Sequence, residues 1–182
     1  SFTILNKGDY NYELNIPIPF SLISNDYVKD ELVVMPGYWF LYNFYALARN
    51  AWKYQNRDNR KNIDQYFEYD YLAPDSVNEL MKGRDVIALA VAKAQLLKEK
   101  KSTTITEDQL IQLGHKLLTT KTKKEIDQLD VFVEGFENSK RKNRLIKCHD
   151  AFSMFEKMIF MYGMDQLILK LTQNGLKNLH TK

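Results

Sequence analysis

Apolar and polar residues alternate near the start of the chain and recur at helical spacing over most of the rest. Over residues 14–22 apolar side chains occupy every second position, which is the pattern of a half-buried strand. Pro17 and Pro19 cannot donate ladder hydrogen bonds. We therefore expect an edge strand or an extended strap here, followed by a second short strand at Glu31–Met35 that ends in a Pro36-Gly37 turn.

The segment 35–58, MPGYWFLYNFYALARNAWKYQNRD, contains two Trp, two Phe and four Tyr. Its spacing predicts one helix over residues 38–57 with a wide apolar arc on one side. We expect this arc to be buried, because so many aromatic side chains are unfavourable on a free surface. The arc contains Tyr38, Leu41, Phe44, Tyr45, Ala48 and Trp52.

Helical periodicity and capping signals predict further helices downstream. We expect Gly163 to separate the last two of them, and Ala88 and Ala92 to allow a close helix neighbour. These helices cover residues 74–98, 107–118, 123–137, 145–162 and 165–174. Capping-box spacing occurs in Ser76 with Glu79, Thr106 with Gln109, and Thr122 with Glu125.

Together these elements predict a mainly α fold, with at least five helices, an extended N-terminal segment and at most a small β element. We expect a single helical domain over 1–182, with a strap over 1–36 and helices over 37–182. A chain of 182 residues is long enough for one core. Its content of 45% hydrophobic and 27% charged residues excludes a disordered or membrane composition, and no apolar run approaches the roughly 18 residues of a membrane span.

Charge and cysteine content narrow the partners and the compartment. The net charge of +3 is too small to indicate nucleic acid as a partner. The single cysteine, Cys148, excludes an internal disulfide framework and is consistent with a reducing cytoplasm. Because the chain opens with SFTIL, without an initiator Met or a signal segment, we expect a cytoplasmic fragment of a larger protein.

The best candidate site is a polar line on the predicted aromatic helix, formed by Trp39, Asn43, Asn50 and Arg57, with Arg49 near its border. The last three residues of the line are seven positions apart, so their side chains stack along the helix. Amide and guanidinium donors beside an aromatic ring suit a sugar or nucleotide, and hence a phosphorylated small molecule. The alternative, which we favour, is that these groups bond to the backbone of the strap.

A second candidate is FEYDYL, residues 67–72, which predicts a short strand with Glu68 and Asp70 on one face. Paired carboxylates can bind a cation or act as acid and base. An ion pair with a neighbouring arginine is the more common role of such carboxylates. The candidates for that arginine are Arg49, Arg57 and Arg60.

Other polar clusters do not indicate catalysis. Cys148, His149 and Asp150 are adjacent, so on a helix they point about 100° apart and cannot form a relay. The basic run 139–144, SKRKNR, is short and predicts a solvated helix face rather than a phosphate site. No phosphate-binding glycine loop, nucleophile elbow or metal-ligand spacing occurs, so we assign no catalytic residue, metal or cofactor.

Three segments, SFTILNKGDYNYELNIPIPFSLISND, MPGYWFLYNFYALARNAWKYQNRD and FEYDYLAPDSVNEL, resemble the central-to-C-terminal part of a family of large uncharacterised bacterial proteins. Those proteins carry a left-handed β-helix of hexapeptide repeats toward the N-terminus, like sugar-nucleotide and acyl transferases. The resemblance covers about residues 1–95 and implies that any transferase chemistry lies outside this chain.

Three functions remain open from the sequence, of which a nucleic-acid module, which rests only on the run SKRKNR, is the weakest. The first is a non-catalytic accessory domain that contacts the rest of the parent chain or forms a homo-oligomer. The second is a small-molecule domain, for a nucleotide or sugar phosphate, that uses the face of Asn43, Asn50 and Arg57.

Overall fold

The computed structural model describes residues 1–61, 67–100 and 105–180, with side chains described as far as residue 173. Three strands come first, followed by five helices, and two more strands lie between the fifth helix and the last one. In chain order the elements are β1 Ile4–Leu5, β2 Leu22–Asp26, β3 Glu31–Met35, α1 Tyr38–Tyr42, α2 Phe44–Arg57, α3 Pro74–Lys98, α4 Glu107–Thr120, α5 Lys123–Asp127, β4 Phe132–Val133, β5 Lys142–Leu145 and α6 Cys148–His180.

The strands form a mixed sheet, which in the described part of the chain has five strands in the order β1-β2-β3-β5-β4. β2 pairs antiparallel with β3, and β5 pairs parallel with β3 and antiparallel with β4. Val34 lies opposite Ile23 in one neighbouring strand and opposite Leu145 in the other. The predicted mainly α fold with at most a small β element is therefore wrong, and the chain combines helices with a substantial sheet.

The strands that the sequence analysis did not predict are short or highly charged. β5 lies between β3 and β4, although its sequence is KNRL. Arg144 of β5 donates from Nε to Glu31 at 2.6 Å and from Nη1 to Asp130 at 2.6 Å, so its charge is balanced within the fold. The basic run 139–144 is consequently not the solvated helix face that its composition predicts.

The helix predicted over 123–137 is also wrong beyond its first turns. α5 ends at Asp127, and Phe132 and Val133 form β4 instead. Two-residue strands carry almost no alternation, so the apolar spacing of this segment is compatible with a helix as well. The predicted strand at Glu31–Met35 is confirmed as β3.

One face of the sheet is buried against helices α3 and α6. Ile23, Leu32, Val34 and Leu145 are buried on this face and belong to a cluster that continues into the helices. The cluster includes residues of both helices: Leu80, Ile87 and Val91 from α3, and Phe152 and Phe155 from α6. The opposite face of the sheet carries the Glu31–Arg144 ion pair.

Helices α3 and α4 approach very closely where Gly114 faces Ala88. A Cβ atom placed on Gly114 would lie only 1.9 Å from the Ala88 carbonyl oxygen. The close neighbour expected at Ala88 is therefore α4. The capping boxes that begin α4 at Thr106 and α5 at Thr122 are confirmed.

Other helix boundaries also differ from the prediction: α4 extends to Thr120, and α6 begins at Cys148 because Leu145 belongs to β5. α3 begins at Pro74 as predicted, but Ser76 is its third residue and not the N-cap of a capping box with Glu79. The Ser76 hydroxyl accepts a hydrogen bond from the Ala73 backbone N–H at 2.9 Å. α6 continues through Gly163 without interruption. The expected break there is wrong, because one glycine costs a helix only about 1 kcal/mol.

Candidate functional site

The aromatic segment forms two helices rather than one. α1 and α2 separate at Asn43, whose φ of −137° and ψ of 27° are not helical. The Asn43 backbone N–H donates to the Trp39 carbonyl at 3.0 Å, and the Asn43 carbonyl accepts from the Ala46 and Leu47 backbone N–H groups. Asn43 thus ends one helix and begins the next. The predicted single helix over 38–57 is wrong at this residue.

The break changes which side chains reach the core. Phe40 of α1 and Leu47 of α2 are buried, whereas Tyr45 is 79% exposed and Trp52 is 64% exposed. The expected burial of the aromatic arc is therefore wrong. The break separates Tyr38 and Leu41 from the rest of the arc. The face of α2 that carries Phe44, Tyr45 and Trp52 is exposed, and Leu47 is the α2 side chain that is buried in the core.

The structure brings together only part of the predicted polar line. Asn50 and Arg57 line one cleft. Asn43 and Arg49 do not line it. Trp39 packs against the core, and its buried indole Nε1 has no hydrogen-bond partner among the described residues. The favoured alternative, side-chain bonds from this line to the strap, is not seen for Asn50 or Arg57 within the described ranges.

The cleft lies between α2 and the segment that follows it, is open to solvent and has a volume of about 740 Å³. Its α2 residues are three, four and seven positions apart, so they share one face of the helix. The described lining residues are Asn50, Lys53, Tyr54 and Arg57 from α2, and Asp58, Arg60 and Phe67 from the segment after it.

Arg60 and Asp58 form a bonded pair within the lining. Arg60 Nε donates to Asp58 Oδ1 at 2.7 Å, and the Tyr69 hydroxyl donates to Asp58 Oδ2 at 2.7 Å. The hydrogen bonds from Arg60 and then from Tyr69 hold the pKa of the Asp58 carboxyl well below its usual range. Asp58 therefore stays ionised at any pH near neutrality, and its charge is balanced by Arg60.

Two further cations of the lining, Lys53 and Arg57, have no carboxylate within ion-pair distance among the described residues. Because Asp58 is already neutralised by Arg60, the described lining has an excess of positive charge. Aromatic rings stand beside it: the Arg60 guanidinium carbon lies 4.4 Å from the centre of the Phe67 ring, and Tyr54 contacts Tyr69 with ring centres 5.1 Å apart.

Glu68 and Asp70 lie outside this lining. The segment 67–72 is not the predicted strand, and the Asp70 backbone N–H donates to Glu68 Oε1 at 3.1 Å. Arg60, one of the expected partners of these carboxylates, pairs with Asp58. In the parts of the chain that the structure describes, no group of three or more His, Cys, Asp or Glu residues is placed to hold a metal ion.

Cys148 begins α6 and is buried. Burial raises the pKa of its thiol to about 12, so the thiolate is scarce at neutral pH. His149 and Asp150 are half-buried, and Asp150 forms an ion pair with Lys123. We assign no nucleophilic role to Cys148.

A second surface feature lies on α6 beyond the core. After Phe155, which is buried, the helix exposes apolar side chains at positions spaced four, three, one and three apart. These side chains are between 42% and 72% exposed and share one face of the helix. We name this set the α6 stripe: Phe160, Met164, Leu167, Ile168 and Leu171.

Parts of the cleft and of the α6 stripe could have been recognised from helical spacing in the sequence, in addition to the predicted polar line. Lys53 and Tyr54 stand at i+3 and i+4 from Asn50, the spacing of one helical face. The α6 stripe continues the helical period past Gly163. Arg60 and Phe67 carry no such signal, because they reach the cleft through irregular backbone.

The chain is similar to an uncharacterised protein of Treponema pallidum (strain Nichols). The two are 30% identical over 162 residues, which make up 89% of this chain and 21% of that protein. The chain thus spans about a fifth of the length of the relative that it matches. No protein-family model matches the chain, and no solved structure matches it.

The resemblance to the β-helix family is not tested by these comparisons and stays a prediction. Within the described residues, no helix is both long enough and apolar enough to span a membrane.

Proposed function

We propose that the chain is a non-catalytic accessory domain that packs, through the α6 stripe, against another part of a longer bacterial polypeptide. The observation that carries this proposal is the row of apolar side chains on α6 that are 42% to 72% exposed beyond the core. With five large side chains, the stripe presents apolar area on the order of 500 Å², which is comparable to the largest apolar patch of a typical monomer, and such a patch is often functional.

The width of the α6 stripe favours packing on a folded layer. Ile168 lies directly beside Leu167, so the apolar surface is broader than the narrow seam of a two-stranded coiled coil. From Phe160 to Leu171 it extends for about 16 Å at 1.5 Å per residue. A surface of this shape is typical of a helix that covers a globular neighbour.

The length of the Treponema relative supports the existence of such a neighbour. Four fifths of the Treponema relative lies outside the matched region, so a protein of this kind has ample further chain to cover the stripe. If the β-helix resemblance is correct, that further chain includes a hexapeptide-repeat domain. The proposal itself requires only a folded neighbour.

Amide hydrogen exchange tests this proposal without truncating either protein. In the present chain we expect exchange to be much faster over 160–171 than over 148–156, since only the first half of α6 is packed on the core. In the intact Treponema relative we expect the aligned helix to be protected along its whole length. Equally fast exchange in both proteins would refute intramolecular packing.

Two other occupants of the α6 stripe, a second copy of the chain and a lipid surface, would give distinct results. Either result would overturn the proposal. A concentration-dependent dimer of the present chain that Leu167→Gln abolishes would assign the α6 stripe to a second copy. Flotation of the chain with anionic phospholipid vesicles, abolished by the same substitution, would assign it to a lipid surface. The control is Leu169→Gln, since Leu169 is 53% exposed on α6 but outside the stripe.

A further inference from the structure

The cleft beside α2 has a composition that its structural contacts do not explain. Lys53 and Arg57 are four positions apart on one face of α2, and like charges at this spacing destabilise a helix slightly. Neither side chain has a hydrogen bond or an ion pair within the described ranges. Arg60, by contrast, is paired with Asp58. An anion between Lys53 and Arg57 would remove the repulsion.

The anion must be held by side chains. Arg57 is the last residue of α2, and the C-terminal end of a helix carries partial negative charge that disfavours anions near its carbonyls. Long lysine and arginine side chains can place a phosphate away from those carbonyls. The planar guanidinium of Arg57 offers two parallel N–H donors to phosphate oxygens, and Lys53 adds a point charge.

The rest of the lining suits a ring attached to that phosphate. Tyr54 is 60% exposed and Phe67 is 40% exposed, although both line the cleft. Arg60 covers one face of Phe67, and Tyr69 contacts both Phe67 and Tyr54, so both rings are held in place by neighbours. Rings that are fixed and still exposed are well suited to stack on a planar group.

Size and polarity agree with a mononucleotide. The cleft volume of about 740 Å³ lies within the usual range for small-molecule sites. The Asn50 amide, one helical turn from Lys53 and Tyr54, can donate to and accept from sugar hydroxyls. Arg60 is already bonded to Asp58 and Tyr69, so it forms part of the wall.

We propose that this cleft binds a nucleoside phosphate, with Arg57 and Lys53 on the phosphate, Asn50 on the sugar, and Tyr54 against the base. The site is separate from the α6 stripe, so it does not depend on the accessory role proposed above. Binding is the only function that we assign to this cleft, because no group in the described lining is placed as a nucleophile or base.

Isothermal titration calorimetry of the chain with four probes tests the ligand class: adenosine 5′-monophosphate, adenosine, ribose 5-phosphate and inorganic phosphate. We expect adenosine 5′-monophosphate to bind at least tenfold more tightly than any of the other three. Equal affinity for inorganic phosphate or ribose 5-phosphate would overturn the nucleoside assignment. No heat with any probe would overturn the site.

Substitutions locate the binding. Arg57→Ala and Lys53→Ala should each weaken binding of adenosine 5′-monophosphate about 10- to 100-fold, the effect of losing a charge-assisted hydrogen bond. The matched control is Arg49→Ala, which removes the same charge from an exposed position on the same helix outside the cleft. Tyr54→Ala should lower the affinity for adenosine 5′-monophosphate and leave that for ribose 5-phosphate unchanged.

All four side chains are partly or fully exposed, so the variants should fold, and unchanged circular dichroism and unfolding midpoints verify this. Equal losses in Arg49→Ala and Arg57→Ala would show attraction to bulk charge and overturn the proposal. Affinity for oligonucleotides that rises with their length would assign the surface to nucleic acid and overturn it as well.

Discussion

The contact between Gly114 of α4 and Ala88 of α3 yields a quantitative prediction for Gly114→Ala. The added Cβ would lie 1.9 Å from the Ala88 carbonyl oxygen, 2.3 Å from its carbonyl carbon and 2.7 Å from its Cα. All three are backbone atoms, so no side-chain rotation can relieve the clash. α4 must move away from α3 by more than about 1 Å to restore ordinary contact at about 3.5 Å.

That displacement loosens packing along the whole interface between the two helices. Forced expansion of a packed interior costs about 1–3 kcal/mol, and replacing a helical glycine by alanine returns about 0.5–1 kcal/mol. We expect a net loss of about 1–2 kcal/mol in the free energy of unfolding, with Leu118 of α4 more accessible in the variant. Urea denaturation followed by circular dichroism measures this loss.

The matched control is Gly163→Ala. Gly163 is also inside a helix, but a Cβ there would meet nothing within 4 Å. Only the propensity gain remains, so this variant should be more stable by about 0.5–1 kcal/mol. If Gly114→Ala is as stable as the parent chain while Gly163→Ala shows its gain, the close approach of α3 and α4 is wrong.

Three further predictions concern burial and charge. Trp52→Ala should change the free energy of unfolding by less than about 1 kcal/mol, because the side chain is 64% exposed, whereas Phe155→Ala, at a fully buried site, should cost about 3–5 kcal/mol in the same denaturation assay. The hydrogen bond from Arg144 lowers the pKa of Glu31, so the stabilisation from this pair is complete above the unfolded pKa of about 4.3 and is lost as the pH falls through the folded pKa. Glu31→Gln should therefore cost about 1–3 kcal/mol at pH 7 and progressively less as the pH falls below the unfolded pKa of Glu31, and a cost that is independent of pH would contradict the ion pair. Cys148 should react with an aromatic disulfide reagent at pH 8 only after denaturant unfolds the chain, and prompt reaction in the native state would show that its thiol is accessible.

The helices with strong local signals could be predicted from the sequence. Thr106 and Thr122 start α4 and α5 where their capping boxes place them. The strand at Glu31–Met35 was equally recognisable, because it is apolar and is followed by a turn. In each case neighbouring residues determine the structure, and no distant partner is needed.

The sheet as a whole could not be predicted, because its central pairing depends on residues far apart. β5 is a strand because Arg144 meets Glu31 and Asp130, and the sequence KNRL has no strand propensity of its own. The break at Asn43 is similar: helical spacing continues through it, and only the tertiary packing of Phe40 and Leu47 requires two helix directions.

The candidate site, like the fold, could be predicted only where local geometry relates its residues. Asn50 and Arg57 are related by helical geometry alone, so the sequence could place them together. The other half of the lining, Arg60 and Phe67, follows α2 in irregular backbone whose path no local rule specifies. Asn43 was lost from the site through the same helix break.

The pairing of β5 with β3 has a consequence for synthesis of the protein. Glu31 and Arg144 are neighbours across the sheet but lie 113 positions apart in sequence. At about 5–20 residues per second, the ribosome needs roughly 5–20 s to deliver β5 after β3 has emerged. Throughout that interval the apolar strand ELVVM has one edge unpaired, which is a template for aggregation. The nascent chain is therefore a natural client for chaperones that hold exposed strands until synthesis passes residue 145.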